Sequence, residues 1–318
     1  MKPLRTLFAG LLLAATAAHA QNATLVVPYP AGGPSDFAAR TVLPDLQKAL
    51  GQTFIVDNVG GVSGALGVQK TLAAAADGNT MVLASPMELV LAPLTVQAVK
   101  HKPEDLRPAA VMVSTTLVLA ARSALPAATL DELLALQKKP GAQPLTYGSA
   151  GIGSLYHLVG EVFSQQTGAP MTHVPYKGTA PMVTDLVGGQ IDIAFLPMAG
   201  PVPQMIKDGK IKALGVTARQ PHPLFPRVPA LAAHKALDKF EFDLWAGLFV
   251  SRKVPDAAVD RLNAAVLQAL QNPEVRKAYE STGNVVMKPM SGATLAAFYN
   301  AEIARYTAIA KAANVQPQ

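Results

Sequence analysis

Two glycine-rich segments contain most of the residues in this sequence that could bind or transform a small molecule. The first segment covers residues 28–36, and the second covers residues 147–154. Each follows an apolar run typical of a β-strand and precedes a stretch with helical spacing. The N–H groups at a helix N-terminus bind anions without any cationic side chain, because the helix dipole also favours negative charge. The pair of segments therefore predicts two half-sites for a small anion.

Both segments also have purely structural explanations. A glycine-rich turn between a strand and a helix can be only a tight connection, and Ser35, Asp36 and Ser154 can be helix caps. Neither segment has the G-x-G-x-x-G or G-x-x-x-x-G-K spacing of nucleotide-binding loops, so nucleotide binding is not favoured. The occurrence of two such segments, rather than either one alone, favours a binding site.

Ser154 and His157 are three residues apart, so they would share one face of a helix and could suggest a hydrolase. However, the sequence has no G-x-S-x-G motif and no evident acid to orient the imidazole, so a histidine bonded within the lobe is favoured. The chain has no cysteine, and no two of its histidines after residue 20 have the i, i+4 spacing of a helical zinc site. We therefore expect no catalytic residue, metal or cofactor, and a binding protein rather than an enzyme.

Three charged residues have two possible roles each. Lys177 could pair with a ligand carboxylate or be solvated on the surface, and Asp36 could accept a hydrogen bond from a ligand or act as a cap. Glu88 would favour an amino or cationic ligand group if it faced a cleft. The alternative, a solvated surface carboxylate, is the favoured interpretation of Glu88 from the sequence.

The elements that must position these residues alternate between short apolar runs and helical stretches, which is typical of α/β folds. Apolar residues recur at helical spacing over residues 155–163 and 259–270. The predicted strands are 24–28, 53–57, 81–84, 109–113, 117–121, 145–148, 171–175, 191–195, 212–217 and 245–250.

Residues 1–20 have the pattern of a secretory signal peptide. Lys2 and Arg5 precede a short apolar run, and Ala18-His19-Ala20 forms a small-x-small cleavage site before Gln21. The remaining chain is long enough for about two domains. The formal net charge is +6, but its lysines and arginines are scattered, so no nucleic-acid partner is expected.

Several motifs resemble those of the substrate-binding proteins of tripartite tricarboxylate transporters, also called the Bug family. The resemblance covers essentially the whole chain after the signal peptide. Its main motifs are Val27-Pro28-Tyr29-Pro30-Ala31-Gly32-Gly33 with Asp36 and Arg40, Val56-Asp57-Asn58, Gly60-Gly61-Val62-Ser63-Gly64, Asp77-Gly78-Asn79-Thr80, Tyr147-Gly148-Ser149-Ala150-Gly151-Ile152-Gly153-Ser154, His173-Val174-Pro175-Tyr176-Lys177-Gly178 and Gly188-Gly189-Gln190-Ile191-Asp192.

This resemblance implies a two-lobed α/β fold of the periplasmic-binding-protein type (type II-like). Each lobe would be a mostly parallel sheet flanked by helices, with a ligand cleft between the lobes. We assign residues 21–121 and 243–318 to the first lobe and residues 122–242 to the second. The resemblance also implies a monomer in the periplasm that captures a small carboxylate and delivers it to membrane transporter subunits. A solute-sensing subunit of a signalling receptor is the alternative that the sequence leaves open.

The resemblance further implies where the ligand binds. It would lie between the two glycine-rich segments, with a turn and a strand end of the second lobe beside it and two positions after a first-lobe strand that vary with the ligand. The residues expected to line the site are Tyr29, Ala31, Gly32, Gly33, Pro34, Ser35, Asp36, Ser85, Met87, Ser149, Ala150, Gly151, Gly153, Ser154, Tyr176, Lys177, Gly178, Thr179 and Phe195.

Overall fold

A computed structural model describes residues 22–313 of the chain. The predicted signal peptide and Gln21 lie outside these residues. No helix within 22–313 is both long enough and apolar enough to cross a membrane. The elements up to the first crossing between the lobes are β1 (Ala23–Val27), α1 (Pro34–Leu50), β2 (Phe54–Asn58), α2 (Ala65–Ala73), β3 (Thr80–Ala84), α3 (Ala92–Thr95) and β4 (Leu106–Arg122).

The remaining elements complete both lobes. They are α4 (Leu130–Gln137), β5 (Leu145–Ser149), α5 (Leu155–Thr167), β6 (Met171–Pro175), α6 (Thr179–Val187), β7 (Ile193–Pro197), α7 (Val202–Lys207), β8 (Ile211–Val216), β9 (Asp243–Ser251), α8 (Asp256–Ala269), α9 (Pro273–Ser281), β10 (Val285–Val286) and α10 (Gly292–Ala312). Short 3₁₀ helices and one π-helical turn at Met87–Leu91 connect some of them.

The strands form two sheets joined through β4. In the first sheet, β1 is parallel to β2 and β3, while β9 is antiparallel to both β3 and β4. In the second sheet, β5 is parallel to β6 and β7, while β4 is antiparallel to β7 and β8. Each sheet is therefore mostly parallel, as predicted. In the first sheet β1, β2, β3 and β4 run in one direction and β9 and β10 run against them, and in the second sheet only β4 runs against β5, β6, β7 and β8.

Strand β4 belongs to both sheets. Its residues 106–116 pair with β9, and its residues 117–122 pair with β7 and β8. The change of partners is held by Thr217, whose hydroxyl accepts a 3.0 Å hydrogen bond from the Leu117 N–H group. This pairing places residues 117–122 in the second sheet. The lobe boundary at residue 121 stays a prediction.

Helix α1 begins with Pro34 at its first position and continues through Pro44 to a left-handed Gly51. Proline suits the first turn of a helix, where its missing N–H group costs nothing. Pro44 has no N–H group, so the main-chain carbonyl of Arg40 lacks its usual donor within the helix. Arg40 lies on the exposed face of α1, where a water molecule can donate to this carbonyl instead. Helix α1 packs in the first-lobe core, where the Tyr279 hydroxyl donates a 2.6 Å hydrogen bond to the Ala38 carbonyl oxygen.

Candidate ligand-binding site

The first glycine-rich segment leads from β1 into α1 and is held in place by Asp36. The Asp36 carboxylate accepts hydrogen bonds from the Gly32 N–H group at 3.0 Å, from Arg40 Nε at 3.0 Å and from Asn58 Nδ2 at 3.1 Å. Burial alone would raise the pKa of Asp36, but the hydrogen bonds from Arg40, Gly32 and Asn58 lower it. Asp36 is therefore an ionised group that fixes this segment, and its oxygens are already occupied by protein donors.

The N-terminus of α1 is left without a side-chain cap. Its N-cap residue is Gly33, in an extended conformation with φ −86°, and no side chain accepts from the first turn. The first N–H groups of a helix have no acceptor within the helix, so here they can meet a ligand. Ser35 is half-buried in this first turn, whereas Ala31 is exposed.

Helix α6 presents a second uncapped N-terminus on the other lobe. It begins at Thr179 after Gly178, and no side chain caps it. A Cβ atom on Gly33 would lie only 3.9 Å from the Ala180 nitrogen, so the two helix ends face each other closely.

A cavity of about 340 Å³ borders the starts of both helices and extends along α6 to its last residue, Val187. Both lobes line it, and its wall includes one cationic side chain. The lining residues are Gly32, Gly33, Pro34, Thr179, Ala180, Val183, Thr184, Val187, Pro201, Val202, Met205 and Lys210. The structure thus brings Gly32, Gly33 and Pro34 of the first segment and Thr179 of the predicted turn to one cavity, where the starts of both helices favour an anion. No residue of the second glycine-rich segment lines this cavity.

The second glycine-rich segment uses several of its N–H groups internally. The Gly151 N–H group donates to Ser149 Oγ at 3.2 Å, and the Ser154 N–H group donates to the Gly151 carbonyl oxygen at 3.1 Å. The Gly153 N–H group donates to Nδ1 of His157 at 3.0 Å. Three of the N–H groups that the sequence offered to a ligand therefore already have acceptors.

This second segment packs directly against the first lobe. The hydroxyl of Ser63 donates a 2.6 Å hydrogen bond to the Ile152 carbonyl oxygen. A Cβ atom on Gly151 would lie 2.8 Å from Ser63 Oγ, and one on Gly153 would lie 1.7 Å from Thr95 Oγ1. Glycine is required at these two positions because any side chain would force the two lobes apart.

Ser154 caps α5 and does not form a catalytic pair. It is fully buried, and its hydroxyl accepts a 3.4 Å hydrogen bond from the His157 main-chain N–H group. The His157 ring stacks on His173 with centroids 4.0 Å apart, and His173 Nε2 lies 2.7 Å from Ser149 Oγ. Burial lowers the pKa of His157 and lowers that of His173 to about 3. The predicted preference for a histidine bonded within the lobe agrees with this geometry.

Glu88 is buried, so the solvated interpretation of this residue was wrong. It lies on the π-helical turn Met87–Leu91 and is 1% exposed. Its Oε2 accepts hydrogen bonds from the Tyr29 hydroxyl at 2.9 Å and from Ser85 Oγ at 3.0 Å. The Tyr29 hydroxyl also lies 3.3 Å from the carbonyl oxygen of Ser63, so this network reaches the contact between the lobes.

Other predicted site residues have different surroundings. The Tyr176 hydroxyl donates to Asp185 Oδ2 at 2.7 Å, and Lys177 is exposed. Ala150 and Met87 are buried. Phe195 is also buried and packs against Phe163 and Phe240 in an aromatic cluster of the second-lobe core. Phe195 is therefore a core residue of the second lobe rather than an accessible site residue.

Two residues at the interface, Ser63 and Thr95, were not predicted as site residues from the sequence. The only available signal was the motif around Ser63, with three glycines at Gly60, Gly61 and Gly64. Ser63 has φ 51°, in the left-handed region that residues other than glycine rarely adopt. Strained residues of this kind cluster at functional sites.

Comparison with known proteins agrees with this architecture. BugT of Bordetella pertussis is 32% identical over 264 residues, which is 81% of this chain and 79% of that protein. The structure of the periplasmic binding protein BugD has a TM-score of 0.86 and 28% identity, covering 93% of this chain and 99% of that one. MatC from Rhodopseudomonas palustris, solved with bound malate, has a TM-score of 0.84 and 29% identity, covering 91% and 98%.

The family described as the tripartite tricarboxylate transporter family receptor matches residues 38–315. This match covers most of both lobes, including the second glycine-rich segment and most of α1, and begins after β1 and the first glycine-rich segment. The two-lobed fold and the motifs around both segments agree with it. The chain therefore belongs to the tripartite tricarboxylate transporter receptor family of solute-binding proteins.

Proposed function

We propose that this protein is exported to the periplasm, binds a small organic carboxylate between its two lobes and delivers it, as a monomer, to the membrane subunits of a tripartite transporter. The observation that carries this proposal is the cavity that borders the uncapped N-termini of α1 and α6. The unsatisfied N–H groups of both helix ends and their dipoles favour a negatively charged group in that space.

Two further observations support a carboxylate ligand. MatC, which shares the fold and 29% of its residues, was solved with malate. Lys210 lies at the wall of the cavity and adds one positive charge. Because the other lining side chains are small or apolar, the main chain would supply most of the hydrogen bonds to the carboxylate.

The contacts between the lobes give the ligand a way to drive closure. Gly33 and Ala180 lie on opposite lobes, and a Cβ atom on Gly33 would lie 3.9 Å from the Ala180 nitrogen. A ligand that accepts hydrogen bonds from both helix ends would bind the closed state more tightly than the open state. Such a difference in affinity shifts the population toward closure.

A thermal-shift screen tests the carboxylate part of the proposal. Dicarboxylates, tricarboxylates, aromatic acids and amino acids would be added to the purified protein, and a ligand at 100 times its Kd should stabilise it by about 2.7 kcal/mol. Gly33→Val should abolish the shift, because the valine side chain would occupy the cavity. The φ of −86° at residue 33 is allowed for valine, so the substitution should not strain the backbone. The exposed Ala124→Val is the matched control. No shift with any acid would refute carboxylate binding.

Export and delivery need separate measurements. Cell fractionation should place the full-length protein in the periplasm and a variant without residues 1–20 in the cytoplasm. Pull-down from solubilised membranes should recover transporter subunits, whereas recovery of a signalling receptor would favour the sensing alternative. Sedimentation velocity should give the mass of one chain.

A further inference from the structure

Two helices of the second lobe give the cavity beside the starts of α1 and α6 an apolar wall. Helix α6 supplies Ala180, Val183 and Val187, whose spacing of three and four residues places them on one face of the helix. Helix α7 supplies Val202 and Met205. The wall therefore follows α6 from its first turn to its last residue, and the whole helix rises about 12 Å.

The polar side chains of this wall suit a carboxylate better than a hydroxyl group. Thr179 is hydrogen-bonded to Tyr156, and the Thr184 hydroxyl donates to the Ala180 carbonyl oxygen at 3.1 Å. The third polar side chain is Lys210, whose ammonium group is a compact positive charge. Beyond the starts of the two helices, the wall therefore offers few hydrogen bonds to a hydroxyl group of a ligand.

The apolar surface of the wall reaches solvent at the end of α6. Val202 is buried and Val183 is 6% exposed, whereas Val187 is 38% exposed. A hydrocarbon chain that covers such a surface removes apolar area from water, which is favourable. A hydroxylated chain in the same place would lose hydrogen bonds to water without replacing them, which is costly. The wall therefore distinguishes ligands by the polarity of their carbon chain.

We propose that this cavity selects acids with an extended hydrocarbon chain over compact or hydroxylated acids of the same charge. The inference rests on the proposed function, because a carboxylate of the ligand would lie at the starts of α1 and α6. The hydrocarbon chain would then lie along the apolar face of α6 toward Val187. Because Val187 is exposed, a second carboxylate beyond it would stay in water. A four-carbon acid would leave the far part of the wall uncovered.

Isothermal titration calorimetry with unbranched dicarboxylates, from succinate to suberate, tests the preference for chain length. These acids have the same two charges and differ only in their number of methylene groups. Each added methylene group should lower the Kd about two- to fourfold, which is the effect of burying part or all of a CH₂ group. Adipate should therefore bind the native protein at least fourfold more tightly than succinate.

Galactarate tests the preference for an apolar chain. It has the carbon chain and the two charges of adipate but carries four hydroxyl groups. We expect it to bind the native protein at least tenfold more weakly than adipate, because the apolar wall cannot replace the hydrogen bonds that these hydroxyl groups make with water.

Val187→Asn tests where the chain lies. The substitution makes the exposed end of the wall polar without adding a charge, so it should raise the Kd of suberate at least threefold and leave that of succinate unchanged. Val285→Asn is the matched control, because Val285 is 59% exposed but lies on the first-lobe strand β10. Native affinity of Val187→Asn for every acid would contradict a chain that lies along α6.

Two results with the native protein would overturn the inference while leaving the proposed function intact. One is a Kd that stays constant or rises from succinate to suberate. The other is galactarate that binds as tightly as adipate. If none of these acids binds the native protein, both the inference and the proposed function are wrong.

The heat capacity change of binding gives a second measurement that needs no variant. Burial of apolar surface makes this change more negative. Titrations at three temperatures should therefore give a more negative value for suberate than for succinate. Equal values for the two acids would show that the added methylene groups stay in water, which contradicts the inference.

Discussion

Ser63 on the first lobe and Ile152 on the second are joined by a 2.6 Å hydrogen bond from the Ser63 hydroxyl to the Ile152 carbonyl oxygen. Ser63 holds this position in a left-handed conformation with φ 51°, and its own carbonyl oxygen lies 3.3 Å from the Tyr29 hydroxyl. Because this bond joins the two lobes, we expect it to contribute to the stability of the closed state.

Ser63→Ala should weaken ligand binding about fivefold, because one hydrogen bond contributes about 1 kcal/mol and this one stabilises the closed state. The measurement is calorimetry with the acid that gives the largest thermal shift. Ser123→Ala, at an exposed turn after β4, should leave the affinity unchanged. Equal affinities for Ser63→Ala and the native protein would show that this bond does not contribute to closure.

Gly153→Ala should raise the Kd at least tenfold, because the new methyl group would lie 1.7 Å from Thr95 Oγ1 of the other lobe. Small-angle X-ray scattering with ligand should show a larger radius of gyration than for the native protein. Gly209→Ala is the matched control, because Gly209 has a similar φ of +68° but open space around its Cβ position. If Gly209→Ala lost as much affinity as Gly153→Ala, backbone strain alone would explain the weaker binding.

Glu88 should make the protein less stable as the pH rises. Burial raises the pKa of Glu88 from 4.5 to about 7, so between these values the folded protein holds a proton that the unfolded chain has released. This group therefore contributes its full stability below about pH 4.5 and loses it as the pH passes through about 7.

The difference between native protein and Glu88→Gln isolates this effect. Urea unfolding without ligand should show the stability of the native protein falling relative to the variant, by roughly 3 kcal/mol between about pH 4 and about pH 8. Glu104→Gln, which removes an exposed first-lobe carboxylate, should follow the native protein. A constant difference between native protein and Glu88→Gln across this range would contradict a raised pKa.

Ser154→Ala should cost about 1 kcal/mol of folding stability, because Ser154 caps α5 through the His157 N–H group. Thr129→Ala removes the equivalent cap of α4, where Thr129 accepts from the Glu132 N–H group, and should cost a similar amount. Urea unfolding measures both losses. Unchanged stability of Ser154→Ala would refute the capping role, and ester hydrolysis that disappears in this variant would revive the hydrolase alternative.

Much of the fold could be predicted because the buried strands are nearly all apolar and are separated by clear turns. The main difference between prediction and structure is β4, which was predicted as two strands, residues 109–113 and 117–121, but is one strand, Leu106–Arg122. Ser114, Thr115 and Thr116 interrupt the apolar pattern there, but the strand continues because β9 pairs with all three residues. The two-residue strand β10 is too short to give a pattern of its own.

The site was harder to predict because its contacts join distant parts of the chain. The first segment and the start of α6 were both expected near the ligand, and the structure places them at one cavity. The burial of Glu88 depends on Tyr29, which is 59 residues away in the sequence. Ser63 and Thr95 meet the second segment through contacts between the lobes, which no local sequence pattern can predict.

The unbroken β4 strand has a consequence for attempts to produce one half of the molecule. A second-lobe fragment made without β4 would lack the strand that lies between β7 and β8 in the second sheet. Those two strands would then expose unpaired edges, which promote aggregation. The second half of this protein should therefore not be obtainable as a soluble fragment without β4, and dissection of its binding energy requires point variants of the whole chain.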